Sequence, residues 1–350
     1  LGLALSPGAR ALDPVANIER AVGLIESEQF RLARSYLGPA LIAPRLNPGE
    51  RSRAYYLRGF SYVAQGMYVS AYKDYNRALE FNPFNPVVLV EIGQLHAYGR
   101  GLHKSAELAY EFFLQAAEQD YARGQFFAGN ALLNGSGVEK DVAAAREWLT
   151  KAAEQDHAFA MMNLAASYRA QSVEEPEPSV ALEWYEKALA AGETSALLSI
   201  GYMHGNGELG DPDEELAVEF YAKADAQGLM SAKVSLAYAY LVGEGVEKDL
   251  DRAFELYRAA GDSGLPSSFI GLGHMYENGL GVKQDIQRAI EWYEQGAEHG
   301  LEEAMLRLVA HYLRQDDQAA REAALEWSRR AAEAGSAQAF NDYAWQLATS

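Results

Sequence analysis

Small residues stand at Gly93, Gly129, Ala165, Gly201, Ala237, Gly273 and Val309, thirty-six residues apart at every step. A fixed period of that length means that one supersecondary unit is written seven times and that each copy buries its apolar face against its neighbours. The unit is clearest over 126–156 and 269–300. In both, a small residue lies in a first helix, a Gly-rich turn follows, and a tryptophan, followed by Leu149 in one and Tyr293 in the other, opens the buried face of a second helix. The period therefore predicts an all-α fold, a solenoid of antiparallel helix pairs, as one elongated array.

Each recurring residue type has a physical task. The small residues let the two helices of a pair approach closely, because a larger side chain at a tight crossing overpacks it. The closing aromatic of the second helix recurs as Phe112, Trp148, Trp184, Phe220, Trp292 and Trp327, with Leu256 its one aliphatic replacement, and is expected to fill the space between hairpins. Paired glycines such as Gly135 and Gly137, or Gly279 and Gly281, suit a turn that needs positive φ, and Gly192, Gly228, Gly264, Gly300 and Gly335 suit helix C-caps. Asp141, Asp249 and Asp285 lie just ahead of second helices, where a carboxylate caps free N–H groups.

The array has a different start. Gly59, Tyr62, Gly66, Tyr68, Ala71, Tyr75, Ala78 and Pro83 match the small, aromatic and terminal-proline positions of a tetratricopeptide repeat, although Arg58 stands where Leu is usual. From about 87 onward the units resemble Sel1-like repeats, on the turn Gly273, Tyr276, Gly279, Gly281, Val282 and on the W-Y-x-x-A-A-x-x-G close. The resemblance implies a right-handed α-solenoid of antiparallel helix pairs. It also divides the chain into a degenerate hairpin over 12–50, a tetratricopeptide repeat over 51–84, Sel1-like repeats over 85–335 and a capping helix over 336–350. Residues 1–11, LGLALSPGARA, read as the end of a signal peptide, with Ala9 and Ala11 at the positions before cleavage, or else as an unstructured extension. The first reading implies export to the periplasm.

Composition narrows the partners. Formal net charge is −19 and the longest basic run is the Arg329-Arg330 pair, so a phosphate-tracking surface is missing and no nucleic-acid partner is expected. No run of eighteen apolar residues predicts a membrane span. The chain has no Cys, which excludes disulfides, thiolate metal sites and Cys nucleophiles. Metal-protease, nucleophile-elbow and phosphate-loop motifs are missing, and GSGVEK over 135–140 recurs as a structural turn. His96 and His204 occupy equivalent positions three repeats apart, too distant in a stacked array to share a metal. No catalytic residue, cofactor or metal is expected.

In stacked hairpins of this kind the first helices line the concave side. Counted from the small residue, their exposed positions supply Tyr56, Phe60, Gln94, Tyr98, Phe126, Asn130, Met162, Arg169, Tyr202, Tyr238, His274 and Glu277. Rings mixed with hydrogen-bonding groups suit a protein or peptide segment laid along a groove. The same rings would also serve as stacking platforms for a neutral or basic glycan such as peptidoglycan. The turns at 171–179 and 205–215 are acidic and could face a basic partner or a divalent cation, though their spacing matches no calcium loop. The resemblance implies a scaffold or adaptor, in an envelope assembly if residues 1–11 are a signal remnant and a cytosolic regulator if they are not.

Overall fold

A computed structural model describes residues 13–169, 176–315, 317–336 and 339. The expected signal segment, the carboxylates Glu174 and Glu175, and nearly all of the expected terminal helix over 336–350 lie outside the described residues. The chain forms two compact units, Leu1–Ala191 and Gly192–Ser350.

The described residues of the first unit hold five antiparallel hairpins. They are α1 (Pro14–Glu26) with α2 (Phe30–Ile42), α3 (Pro48–Val63) with α4 (Tyr68–Phe81), α5 (Pro86–Tyr98) with α6 (Ala106–Ala117), α7 (Ala122–Asn134) with α8 (Val142–Ala153), and α9 (Ala158–Arg169) with α10 (Pro178–Ala190). The described residues of the second unit hold four: α11 (Ala196–Gly205) with α12 (Glu214–Ala226), α13 (Met230–Val242) with α14 (Leu250–Asp262), α15 (Ser267–Asn278) with α16 (Ile286–Glu298), and α17 (Glu302–Tyr312) with α18 (Gln318–Glu333). Within each unit the second helix of one hairpin packs on the first helix of the next, which is solenoid stacking.

Where the small residue of a first helix is glycine it does the work foreseen for it, against a second-helix partner one position along from the expected aromatic in the Sel1-like copies. A Cβ on Gly59 would sit 2.5 Å from the Tyr75 ring, one on Gly93 2.5 Å from Phe113, one on Gly129 2.8 Å from Leu149, and one on Gly201 2.6 Å from Tyr221. These second-helix residues are buried, Tyr75 completely. The preceding residues Phe112, Trp148, Phe220, Trp292 and Trp327 are half-buried. Phe112, Trp148, Trp292 and Trp327 edge the apolar clusters that join neighbouring hairpins. Burial of one such large side chain stabilises by about 1.5–3 kcal/mol.

The turns and caps follow the sequence closely. Asp141, Asp213, Asp249 and Asp285 each accept a hydrogen bond from the backbone N–H three residues on, at 2.9–3.1 Å, and Asp317 does the same for α18. The N–H of each of the first four donates back to a carbonyl near the end of the preceding helix, closing the turn. Gly228, Gly264 and Gly300 end second helices at φ near +80°. Two earlier copies of that position carry aspartate: Asp120 has φ 56° and Asp156 φ 59°.

Candidate functional site

Eight of the twelve expected groove residues fall into three physical classes, and the other four are half-buried. Those three positions before the small residue are drawn into the packing. The Tyr56 ring stacks on Tyr75 at 6.1 Å, and burial pushes its hydroxyl up to about 12. Phe126 stacks on His157 of the next hairpin at 4.7 Å, and Met162 is half-buried. All three are half-buried, Tyr56 by a ring of its own hairpin and Phe126 by one of the next, rather than freely exposed groove positions.

A second class is engaged in polar contacts inside the array. Asn130 Oδ1 accepts from Asn163 Nδ2 at 2.7 Å, which ties α7 to α9. Glu277 accepts from the Tyr293 hydroxyl at 2.9 Å and lies 3.6 Å from Arg314, an internal task that its sequence position did not reveal. Phe60, Gln94, Arg169 and His274 are half-buried.

The third class presents rings to solvent. Tyr98 is 62% exposed, Tyr238 51% and Tyr202 41%. In the first unit the Tyr98 ring lies 4.8 Å from the Arg100 guanidinium, a local cation–π contact. In the second unit Tyr202 and Tyr238 flank a single concavity of about 330 Å³ between α11, α12, α13 and the start of the turn after α13. Its buried walls are the rings of Tyr221 and Tyr257, and burial raises the Tyr257 hydroxyl well above its usual range. The Tyr202 hydroxyl and Ser235 Oγ are 2.6 Å apart, which fixes the Tyr202 ring across the groove, 5.3 Å from Tyr221. The exposed carboxylates Glu214 and Glu244 complete the lining.

The histidines have structural surroundings. His96 is stacked on Phe112 at 5.8 Å and His204 on Phe220 at 5.8 Å, so the two equivalent positions perform the same packing task in separate hairpins. Among the described residues no group of three or more His, Cys, Asp or Glu side chains is placed to hold a metal ion, and no helix is long and apolar enough to cross a membrane.

Sequence reasoning missed two features. Arg58, the departure from the tetratricopeptide pattern, forms a two-pronged ion pair with Asp74 of α4 at 2.6 and 2.7 Å. Glu214 and Glu244, thirty residues apart, are brought to one groove because a Cβ on Gly245 would collide with the Glu214 carbonyl oxygen. Only glycine seats that turn on the start of α12.

Comparison with known proteins agrees with this architecture. The Sel1 repeat model matches seven stretches, 88–121, 122–157, 158–193, 194–229, 231–265, 270–301 and 304–336, and the tetratricopeptide repeat model matches 52–85. No curated protein matches the chain. A Sel1 repeat protein from Oxalobacter formigenes is similar at 29% identity and a TM-score of 0.61, over 69% of this chain and 96% of its own. The protein c5321, described as a protective antigen of uropathogenic Escherichia coli with an SLR fold, is similar at 25% identity and a TM-score of 0.63, over 96% of this chain and 72% of its own. Human IFIT1 shares the fold alone, at 16% identity and a TM-score of 0.56, over 94% of this chain and 81% of its own. With Sel1 repeats filling more than two thirds of its length behind one tetratricopeptide repeat, the chain belongs to the Sel1 repeat family.

Proposed function

We propose that this chain is a non-catalytic adaptor that captures a segment of another protein in the tyrosine groove of its second unit, and that it works in a bacterial cell envelope. The observation that carries the reading is the pair Tyr202 and Tyr238, both large, both substantially exposed, and both flanking one concavity with further rings as its walls. Such rings are rigid and bury large area for little loss of rotamer freedom, which is the usual chemistry of an interface anchor. The Ser235 contact holds one of them in place before any partner arrives, and preorganisation of this kind lowers the cost of binding. The envelope location draws its support from the small-residue pattern at Ala9 and Ala11 and from the bacterial sources of the two Sel1-type relatives.

The test is capture from a randomised octapeptide pool by the wild-type chain and by the Tyr202→Ala/Tyr238→Ala double variant, with soluble peptidoglycan fragments offered separately. Selective peptide enrichment by wild type alone is expected. Equal enrichment by both proteins would remove the groove from the function, and binding of the glycan fragments with no peptide enriched would replace a protein ligand with a carbohydrate. Fractionation of the source organism tests the location, and recovery confined to the cytoplasm would refute it.

A further inference from the structure

We infer that the tyrosine groove selects a segment presenting an arginine side chain, whose guanidinium stacks between the Tyr202 and Tyr238 rings and donates to Glu214 and Glu244. The inference rests on the peptide-capture reading and specifies what that site recognises.

Charge is the first argument. The groove lining includes two carboxylates and no Lys or Arg. Neither Glu214 nor Glu244 has an ion pair or a side-chain hydrogen bond among the described residues. Two carboxylates at one opening, with no cation in the lining, are complementary to a positive group. The whole chain, at net charge −19, adds a long-range field that favours basic ligands.

The repeats supply an internal comparison. The seat that brings Glu214 and Glu244 together, a glycine against the carbonyl oxygen of a helix's first residue, recurs where Gly137 meets Ala106 and where Gly281 meets Leu250. The residues equivalent to Glu214 and Glu244 are Ala106 and Ser136 in one copy, and Leu250 and Leu280 in the other. The turn thus folds without either carboxylate, so the fold does not require them at 214 and 244. The ring pair is equally local. Positions equivalent to Tyr202 and Tyr238 carry Phe60, Gln94, Asn130, Ala166, His274 and Ala310 elsewhere, so no other two neighbouring copies both present a ring. Two non-structural departures, the tyrosines and the carboxylates, coincide in one concavity.

Aromatic faces with carboxylates at the edge suit a guanidinium better than an ammonium. A planar guanidinium stacks on tyrosine and presents its N–H groups in the ring plane, toward flanking carboxylates, whereas an ammonium is a compact, strongly hydrated charge.

The experiment reads residue enrichment in the randomised octapeptide pool captured by wild type, by Tyr202→Ala/Tyr238→Ala, and by Glu214→Gln/Glu244→Gln. The Gln variants replace exposed side chains with near-isosteres, and far-UV circular dichroism checks that they stay folded. Arginine enrichment by wild type is expected, lost in the Gln pair. The best peptide should lose about tenfold or more in affinity when its arginine is replaced by neutral citrulline, as expected for loss of charge-assisted hydrogen bonds. Tyrosine-dependent capture without arginine enrichment, or unchanged by the Gln pair, would overturn the arginine inference and leave peptide capture standing. Lysine peptides binding as tightly as arginine peptides would overturn the preference for a guanidinium. Capture that ignores the tyrosine substitutions, or no capture at all, would overturn both readings.

Discussion

Arg58 and Asp74 face each other across the α3/α4 hairpin as a two-pronged ion pair, Nε to Oδ2 at 2.6 Å and a terminal guanidinium nitrogen to Oδ1 at 2.7 Å. The Asp74 side chain is 7% exposed and that of Arg58 25%. Arg58 is held further into its charged form by the hydrogen bond to Asp74. Removing one member strands the other in a poorly solvated site, whereas replacing both with apolar groups removes the desolvation cost along with the attraction. Arg58→Leu alone and Asp74→Leu alone should each lower stability by about 3 kcal/mol, the lower end of the usual range because Arg58 keeps some water. Arg58→Leu/Asp74→Leu should unfold within about 1 kcal/mol of wild type in urea. Additive losses in the double variant would show that the pair is not the unit of stability here.

The helix crossings make a second prediction, through two glycines with opposite surroundings. A Cβ on Gly93 would lie 2.5 Å from the Phe113 ring and 3.2 Å from the Ala109 carbonyl oxygen, whereas one on Gly23 of α1 would meet nothing within 4 Å. Gly93→Ala should therefore cost about 1–3 kcal/mol through overpacking. Gly23→Ala should gain about 0.5–1 kcal/mol from the lower entropy of the unfolded chain. Thermal melts of the two variants moving in the same direction would refute the assignment of Gly93 to a tight crossing.

This contrast shows which parts of the molecule were legible in the sequence. The crossings were, since even a Cβ at Gly93, Gly129, Gly201 or Gly273 would come within 2.8 Å of a second-helix side chain, Ala165 and Ala237 are fully buried, and the constraint recurs every thirty-six residues. The pair of bulky, mostly aromatic residues in the second helices was only half legible. Its two members point about 100° apart on the helix, and only the packed structure shows that Phe113, Leu149 and Tyr221 meet the small residue while Phe112 and Trp148 serve the junctions. Of the groove, Tyr202 and Tyr238 were legible from their place one residue beyond the small position. Tyr56 and Phe126 were not, because their exposure is decided by a neighbouring ring, Tyr75 in one case and His157 in the other. The Glu214 and Glu244 pair was invisible, since it depends on a glycine seating one turn on another helix.

Asp156 offers a third test. It holds φ 59° at the helix-ending position that Gly228, Gly264 and Gly300 occupy in later copies. A left-handed conformation costs a residue with a Cβ about 1–2 kcal/mol, less for aspartate, and glycine almost nothing. Asp156→Gly should raise stability by about 0.5–1 kcal/mol. Asp120→Gly should gain less, because Asp120 Oδ1 accepts from Gln125 Nε2 at 2.9 Å and from Gln155 Nε2 at 3.3 Å, and those bonds would be lost. Equal gains in differential scanning calorimetry would show that the glutamine contacts add nothing.

The pH dependence of stability follows from His96. Its ring is 7% exposed, stacked on Phe112 and met edge-on by Tyr72 at 5.8 Å, and its Nδ1 has no hydrogen-bond partner. Burial lowers its pKa below the ordinary 6.5, and burial lowers that of His157 as well. In the unfolded chain both histidines take up protons as pH falls through about 6.5, while in the folded chain they resist doing so. The unfolded state then binds more protons, so stability falls with falling pH, starting near the unfolded value and continuing down to the folded one. Above that window these two groups contribute no slope. Each fully coupled proton is worth about 1.4 kcal/mol per pH unit inside it. The melting temperature should drop between pH 7.5 and pH 5.5, and His96→Leu should flatten that drop while leaving the part due to His157. A His96→Leu profile parallel to that of wild type would mean that the ring is protonated as readily in the folded chain as in the unfolded one.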